Sequence, residues 1–309
     1  MHPEQPNPNP GGTTPGGLGR HLQASFKRLW RSYRKKLKRC QEKFSEAAVH
    51  GLRVETRRLL SEVELLGVLV ADDRRIAEVR RELKKRLDAF DDLRDTQVEL
   101  GLIKKGLRSF PELKALREEQ RRREKRLVKR LAKNVKSSSL AGLVRNMVAL
   151  KRTLTTRFTD SESEDRLFNM LIGAVTRAHG DAAELGRRIK PSDTSAIHRT
   201  RVAFKKFRYM VESLHPVLRG VGRKQLEEMH DYQVLMGDIQ DIEVLRARMD
   251  KLVGKKKIEE GSLRPFRREL ARRQRALINE YLHLADRLFT FWPPAPNRAA
   301  SEPNQTNRR

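Results

Sequence analysis

Cysteine is all but missing from this chain: Cys40 is the only one among 309 residues. That excludes a disulfide framework within the chain, and equally a zinc site built on several thiolates. Aromatic residues make up only 6%, which is sparse for a protein that reads single strands by base stacking. No apolar run approaches the roughly 18 residues needed to cross a bilayer. The opening MHPEQPNPNPGGTTPGGLGR holds no apolar signal-peptide core, so a cytoplasmic protein with no membrane span is the default expectation. Acidic charge is in deficit too: 40 Asp plus Glu stand against 68 Lys plus Arg, a formal net charge of +28. Such an excess repels itself in a compact state and calls for a polyanionic partner. On charge alone, nucleic acid, an anionic membrane and inorganic polyanions all qualify.

Proline is scarce where it would matter most. Nine of the 13 prolines lie near the ends, and only Pro111, Pro191, Pro216 and Pro265 fall in the long body between. Each of the four can be placed at or near the end of a helical pattern, where proline is tolerated. The ends, residues 1–19 and 292–309, read as disordered from their composition. The body is rich in Leu, Arg, Lys, Glu and Ala with few β-branched runs, which predicts an all-α fold. The expected helices cover 19–44, 46–70, 73–108 and 111–135, then a connector at 140–158, then 163–190, 193–217, 222–253 and 262–290.

Four helices, a connector and four more suggest an internal duplication, and the residues support it. His50, Arg53, Val54, Arg57, Arg58 and Glu64 align with His198, Arg201, Val202, Lys205, Lys206 and Glu212, all at an offset of 148. FDDLRDTQV (90–98) matches MGDIQDIEV (236–244), setting Asp92 over Asp238 and Asp95 over Asp241. Arg122 and Arg123 fall over Arg272 and Arg273. The order of elements is kept, which marks a repeat, with residues 20–158 as its first copy and 159–291 as its second.

At 100° per residue, His198, Arg201, Lys205, Arg208 and Tyr209 share one helix face, with Lys206 at its margin. Phe204, Phe207, Val211 and Leu214 lie opposite. In the first copy His50, Arg53 and Arg57 face away from Leu52, Leu59, Val63, Leu66 and Val70. Each helix therefore joins a core stripe to a cationic stripe. A charged outer face is ordinary for a surface helix. Here the stripe keeps one sign for three turns, where a solvating face mixes Glu with Lys. Glu64 and Glu212 close it and could hold the basic side chains extended. A histidine among cations is biased toward its neutral form until a polyanion arrives. Asp91, Asp92, Asp95, Asp238 and Asp241 could either hold a hard cation or pair with neighbouring arginines and orient them.

The twice-written His-x-x-Arg stripe, KKFRYMVESLHP (205–216) and GDIQDIEVL (237–245) together resemble the CHAD domain, the conserved-histidine α-helical domain. The likeness spans roughly residues 20–291. It implies two pseudo-symmetric four-helix bundles whose basic faces meet around a central groove or pore that binds inorganic polyphosphate. By position, the implied ligand residues are His50, Arg53, Arg57 and Arg58, then His198, Arg201, Lys205, Lys206, Arg208 and Tyr209. Arg122, Arg123, Arg272 and Arg273 join them from helices expected to line the same groove. Glu64, Asp92, Asp95, Glu212, Asp238 and Asp241 are expected to steady these cations. The first copy departs from the second where Leu59, Leu60 and Ser61 replace Phe207, Arg208 and Tyr209, and where FDD replaces MGD. Family members are often joined to a CYTH-type triphosphate-processing domain, and the tails here are expected to be too short for one.

Two other functional classes compete with this one. A nucleic-acid binder would find phosphate contacts but few stacking platforms, with Tyr209 the best placed, so non-specific RNA or DNA binding is the expectation. Phosphoryl-transfer enzymes usually hold metal-bound carboxylates or a phosphate-cradling loop, and GxxxxGK[ST] is absent. The reading is a binder without catalysis, cofactor or metal, in the cytoplasm and at polyphosphate granules.

Overall fold

The computed structural model describes residues 17–70, 73–137, 140–159, 164–190, 193–218 and 220–292. Among them there is no strand. The order is α1 (Gly17–Glu42), α2 (Glu46–Gly67), α3 (Asp73–Asp88), α4 (Asp91–Gly106), α5 (Lys114–Ser137) and α6 (Ala141–Thr159). Then follow α7 (Glu164–Arg187), α8 (Thr194–Leu214), α9 (Arg223–Gly254), α10 (Glu260–Leu284) and the short α11 (Arg287–Thr290). Single 3₁₀ turns at Pro111–Leu113 and His215–Val217 take two of the body prolines, at the first position of one and the second of the other.

The stripes predicted for the core are buried. Leu22, Phe26, Leu29, Tyr33 and Leu37 recur every three or four residues along α1 and are all buried. Phe204, Phe207, Val211 and Leu214 of α8 are fully buried, as are Leu59, Val63 and Leu66 of α2. Matching caps start the two helices: the Ser45 side chain accepts from the Ala48 N–H, and the Asp193 carboxylate from the Ala196 N–H. Each such cap satisfies an end donor and contributes about 1 kcal/mol.

Three boundaries differ from expectation, for identifiable reasons. The helix predicted over 73–108 is two helices, broken at Ala89–Phe90. Phe90 is buried against Phe44, with ring centroids 6.3 Å apart. Arg53 Nη1 meanwhile donates to the Leu87 carbonyl (2.9 Å) at the end of α3 and pairs with Asp91 at the start of α4. That cation satisfies an orphaned carbonyl and favours the negative helix end. In the second half α9 runs unbroken. The first tail is shorter than expected, since Leu18 and Gly19 lie buried in α1. Trp292 likewise belongs to the fold: it is buried, and its Nε1 donates to Thr176 Oγ1 (3.0 Å). The remaining tail residues lie outside those described.

The interior does not divide into two separately cored bundles. The larger core joins Leu22, Phe26, Leu52 and Leu66 from the first half to Leu171, Ile197, Phe204 and Met236 from the second. The smaller joins Ile103, Leu113 and Leu116 to Ile242, Leu245, Phe266 and Leu270. Both halves contribute to each core because α2 packs on α8 and α4 on α9. That crossing also sets the cationic stripes of α2 and α8 side by side.

Candidate anion-binding cavity

A cavity of about 860 Å³ lies between α2, α3, α4, α8 and α9. Its walls carry His50, Arg53, Arg57 and Glu64 from α2, and His198, Arg201, Lys205, Lys206 and Tyr209 from α8. Asp95 of α4 and Asp241 of α9 also reach it. The residues aligned at an offset of 148 thus meet in one place. Sequence reasoning missed Arg80, Arg81 and Lys84 of α3, Arg94 of α4 and Gln240 of α9, which line it too. A signal for Arg94 and Gln240 existed, since they occupy equivalent positions of the FDDLRD and MGDIQD segments. The α3 residues have no counterpart in the repeat and gave none.

The cations differ in how they are held. Arg53 is buried and engaged by Asp91 and the Leu87 carbonyl. Its equivalent, Arg201, has among the described residues no carboxylate within 4 Å and keeps a buried Nε without a hydrogen-bond partner. The difference traces to one residue: Gly237 stands where the first half has Asp91. A Cβ added at Gly237 would lie 3.0 Å from Arg201 Nη2, so the guanidinium rests against the bare backbone of α9. Arg57 and Lys205 also lack an ion pair among the described residues. Burial, reinforced by Arg201, Arg57 and Arg53, pushes the Lys205 ammonium down to about 6. Burial and then Arg53 bring Arg57 down to about 10. His50 is lowered by burial and then by Arg94 and Arg57, and His198 by burial and then by Arg201 and Lys205. The Nδ1 of His198 is buried with no partner. An anion placed here would meet donors that nothing else satisfies.

A second group of cations is already committed. Lys206 pairs with Glu64 (2.8 Å), and Arg58 with Glu212 (3.4 Å). These are reciprocal contacts, because Lys206 is the equivalent of Arg58 and Glu212 of Glu64. Arg80 also holds Glu64, at 2.6 Å. Arg208 is buried against Gln233 and Glu212, and its guanidinium lies 4.6 Å above the Tyr209 ring. Arg58 approaches the same ring at 5.9 Å. Tyr209 is only 4% exposed, so it is no stacking platform for a base.

Several expected residues sit elsewhere. Arg122 and Arg272 are solvent-facing and paired within their own helices, to Glu118 and Glu119 and to Glu269. Arg123 is held by Asp92 (2.8 Å) and Glu99 (3.6 Å), outside the cavity lining. Arg273 and Asp238 line a neighbouring cavity of about 670 Å³ with Lys104, Lys105 and Arg108. The reason is placement: α5 and α10 pack chiefly on α4 and α9 rather than on the stripe helices. Asp95 and Asp241 are pushed up by burial and by neighbouring carboxylates, against the pull of nearby arginines. Among the described residues no three carboxylate, His or Cys side chains converge as a metal site would require. No described helix is long and apolar enough to cross a membrane.

The wider relationships agree with this architecture. No curated protein matches the sequence. The fold is similar to the crystal structure of the CHAD domain from the plant Ricinus communis, with a TM-score of 0.61 at 20% identity, covering 86% of this chain and 91% of that one. It is similar also to PptA from Streptomyces chartreusis, with a TM-score of 0.61 at 13% identity, covering 88% and 99%. The model of the CHAD domain matches residues 20–250. With its paired histidine–arginine helices packed together in a shared fold, the chain belongs to the CHAD family.

Proposed function

We propose that this protein binds inorganic polyphosphate, without catalysis, in the cavity between α2 and α8. The observation that carries the reading is the cluster of Arg57, Arg201 and Lys205, buried or half-buried basic side chains with no carboxylate within 4 Å among the described residues. Holding them charged without a counter-charge is costly, and a linear polyanion supplies what they lack. Arginine's planar fork suits phosphate oxygens, while lysine adds a compact charge. The central cavity shares Glu64, Arg80 and Lys206 with a cavity of about 520 Å³ at one end. At the other it shares Arg94, Val98 and Asp241 with the one holding Lys104, Lys105 and Arg108. In this reading a chain without bases follows that path from one cavity to the next.

The two walls are proposed to descend from an internal duplication of residues 20–158 and 159–291. The reciprocal pairs Arg58–Glu212 and Lys206–Glu64 support it, since contacts of i with j and j with i are the mark of a two-fold relation. The site is read as a binder because its side chains hold charge, and Asp91 is engaged in orienting Arg53. Placement in the cytoplasm at polyphosphate granules goes with that role.

The test is competition at physiological salt: labelled long-chain polyphosphate displaced by single-stranded RNA of equal charge. Polyphosphate should be preferred. The variant Arg57→Gln/Arg201→Gln/Lys205→Gln should lose at least tenfold in polyphosphate affinity, and Lys255→Gln/Lys256→Gln/Lys257→Gln far less. Equal losses would reduce the interaction to diffuse charge and sink the reading.

A further inference from the structure

The cavity leaves one strong charge feature unused. Between Gly17 and Gln41, α1 carries nine Lys or Arg and no Asp or Glu. Its apolar face is occupied by the core, through Phe26, Tyr33 and Leu37. Lys27, Arg31, Arg34 and Lys38 are all exposed. At 100° and 1.5 Å per residue they fall within about 60° of one another along about 16 Å of the outer face. Among the described residues none of the four lies within 4 Å of a carboxylate, whereas Lys36 of the same helix is paired with Glu55 of α2. Arg34 is steadied over the Trp30 ring (6.0 Å), which stacks in turn on Tyr33 (5.6 Å).

Solvation does not require such a face, and the molecule carries its own control. Helix α7 packs on α8 as α1 packs on α2, and the starts of α1 and α7 lie 147 residues apart. Yet α7 holds four acidic and three basic residues in Glu164–Arg187. One outer helix is mixed, as solvent-facing helices are. The other has a single sign.

We propose that the outer face of α1 is a docking surface for the phosphodiester backbone of a nucleic acid, separate from the cavity. Regularly spaced, unpaired cations on an exposed helix are what sequence-independent phosphate contacts need. A lipid surface fits less well. Helices that settle into a bilayer interface insert an apolar face, whereas that of α1 is buried, and the large exposed apolar residues, Val148, Val202 and Val234, lie on other helices.

The experiment is fluorescence anisotropy of a labelled oligouridine across a potassium chloride series, on the full chain. It compares the parent protein with Lys27→Gln/Arg31→Gln/Arg34→Gln/Lys38→Gln and with the cavity variant Arg57→Gln/Arg201→Gln/Lys205→Gln. The α1 variant should bind at least tenfold more weakly, and the slope of log affinity against log salt should shrink by about 3, from four lost contacts at about 0.7 each. Its polyphosphate affinity and melting temperature should hold. The cavity variant should keep its RNA binding, so failure of this proposal and failure of the polyphosphate reading give different results. RNA affinity unchanged in the α1 variant would overturn the proposal. So would α1-dependent capture by phosphatidylserine vesicles with no α1-dependent RNA binding.

Discussion

Lys205 and Gly237 show how much of the site's character rests on single side chains. Lys205 keeps its proton in the folded chain only below about pH 6, whereas the unfolded side chain keeps it to about 10.5. Between these values the unfolded state binds more protons, so this residue makes stability rise with pH, and its full cost is present below about pH 6. Lys205→Met should therefore melt higher than the parent, with the gap largest near pH 6 and closing toward pH 10. It should also bind polyphosphate more weakly. On the proposed function, a polyanion bound in the parent should restore the charge of Lys205. Calorimetry at pH 8 in buffers of different ionisation heat should then show proton uptake on binding, reduced in the Met variant. Uptake identical in both would remove Lys205 from the site. Gly237→Asp tests the neighbouring cation by copying the first half: it offers Arg201 the carboxylate that Asp91 offers Arg53. The expected result is a several-fold loss of polyphosphate affinity with the fold retained, read by titration and melting. The pattern of cations was legible because the sequence writes it twice. Which of them are already paired was not. Arg208 passes the same helical-wheel test as Arg57, with Arg58 at its margin, and the carboxylate partners that hold Arg58 and Arg208 are what separate them from Arg57.

At the scale of elements, hydrophobic period and caps were strong signals, and breaks without glycine or proline were weak ones. The end of α3 at Asp88 has no local marker, because the stop is imposed by Phe90 turning into the core and by Arg53 arriving from another helix. Phe90→Ala should thus cost about 3–5 kcal/mol in denaturant unfolding, against well under 1 for Asp92→Asn on the exposed side of the same junction. A cost for Phe90→Ala near that of the surface change would mean that the junction is held by Arg53 alone. The C-terminal boundary was misplaced for a similar reason. Trp292 follows a short, polar-flanked turn, and its edge-on contact with Phe207 (5.9 Å between centroids) is a tertiary fact.

For the whole molecule, the sharing of both cores across the chain has a direct test. Residues 20–158 expressed alone would lack Leu171, Ile197, Phe204 and Met236, which complete the larger core shared with Leu52, Leu59 and Leu66 of α2. They should show no cooperative thermal transition by circular dichroism, although the sequence repeat suggests a self-sufficient unit. A sharp transition would show that each half can core itself. Fold class and the pairing of the stripes were visible at this scale, because they follow from periodicity and repetition. The mixing of the cores was not, because the apolar pattern of α2 is satisfied equally well by any apolar partner.

The positions of the two tryptophans make the protein its own optical instrument. The chain has only Trp30 and Trp292. Trp292 lies in a dry aromatic nest against Phe207, on the core side of the helix that carries Arg201 and Lys205. Trp30 is partly exposed on α1, beneath Arg34. One fluorophore is thus shielded and emits toward the blue, while the other is open to quenchers. In Trp292→Phe the remaining signal follows events on α1, and in Trp30→Phe it follows α8. Each surface can be read without attaching a label to either.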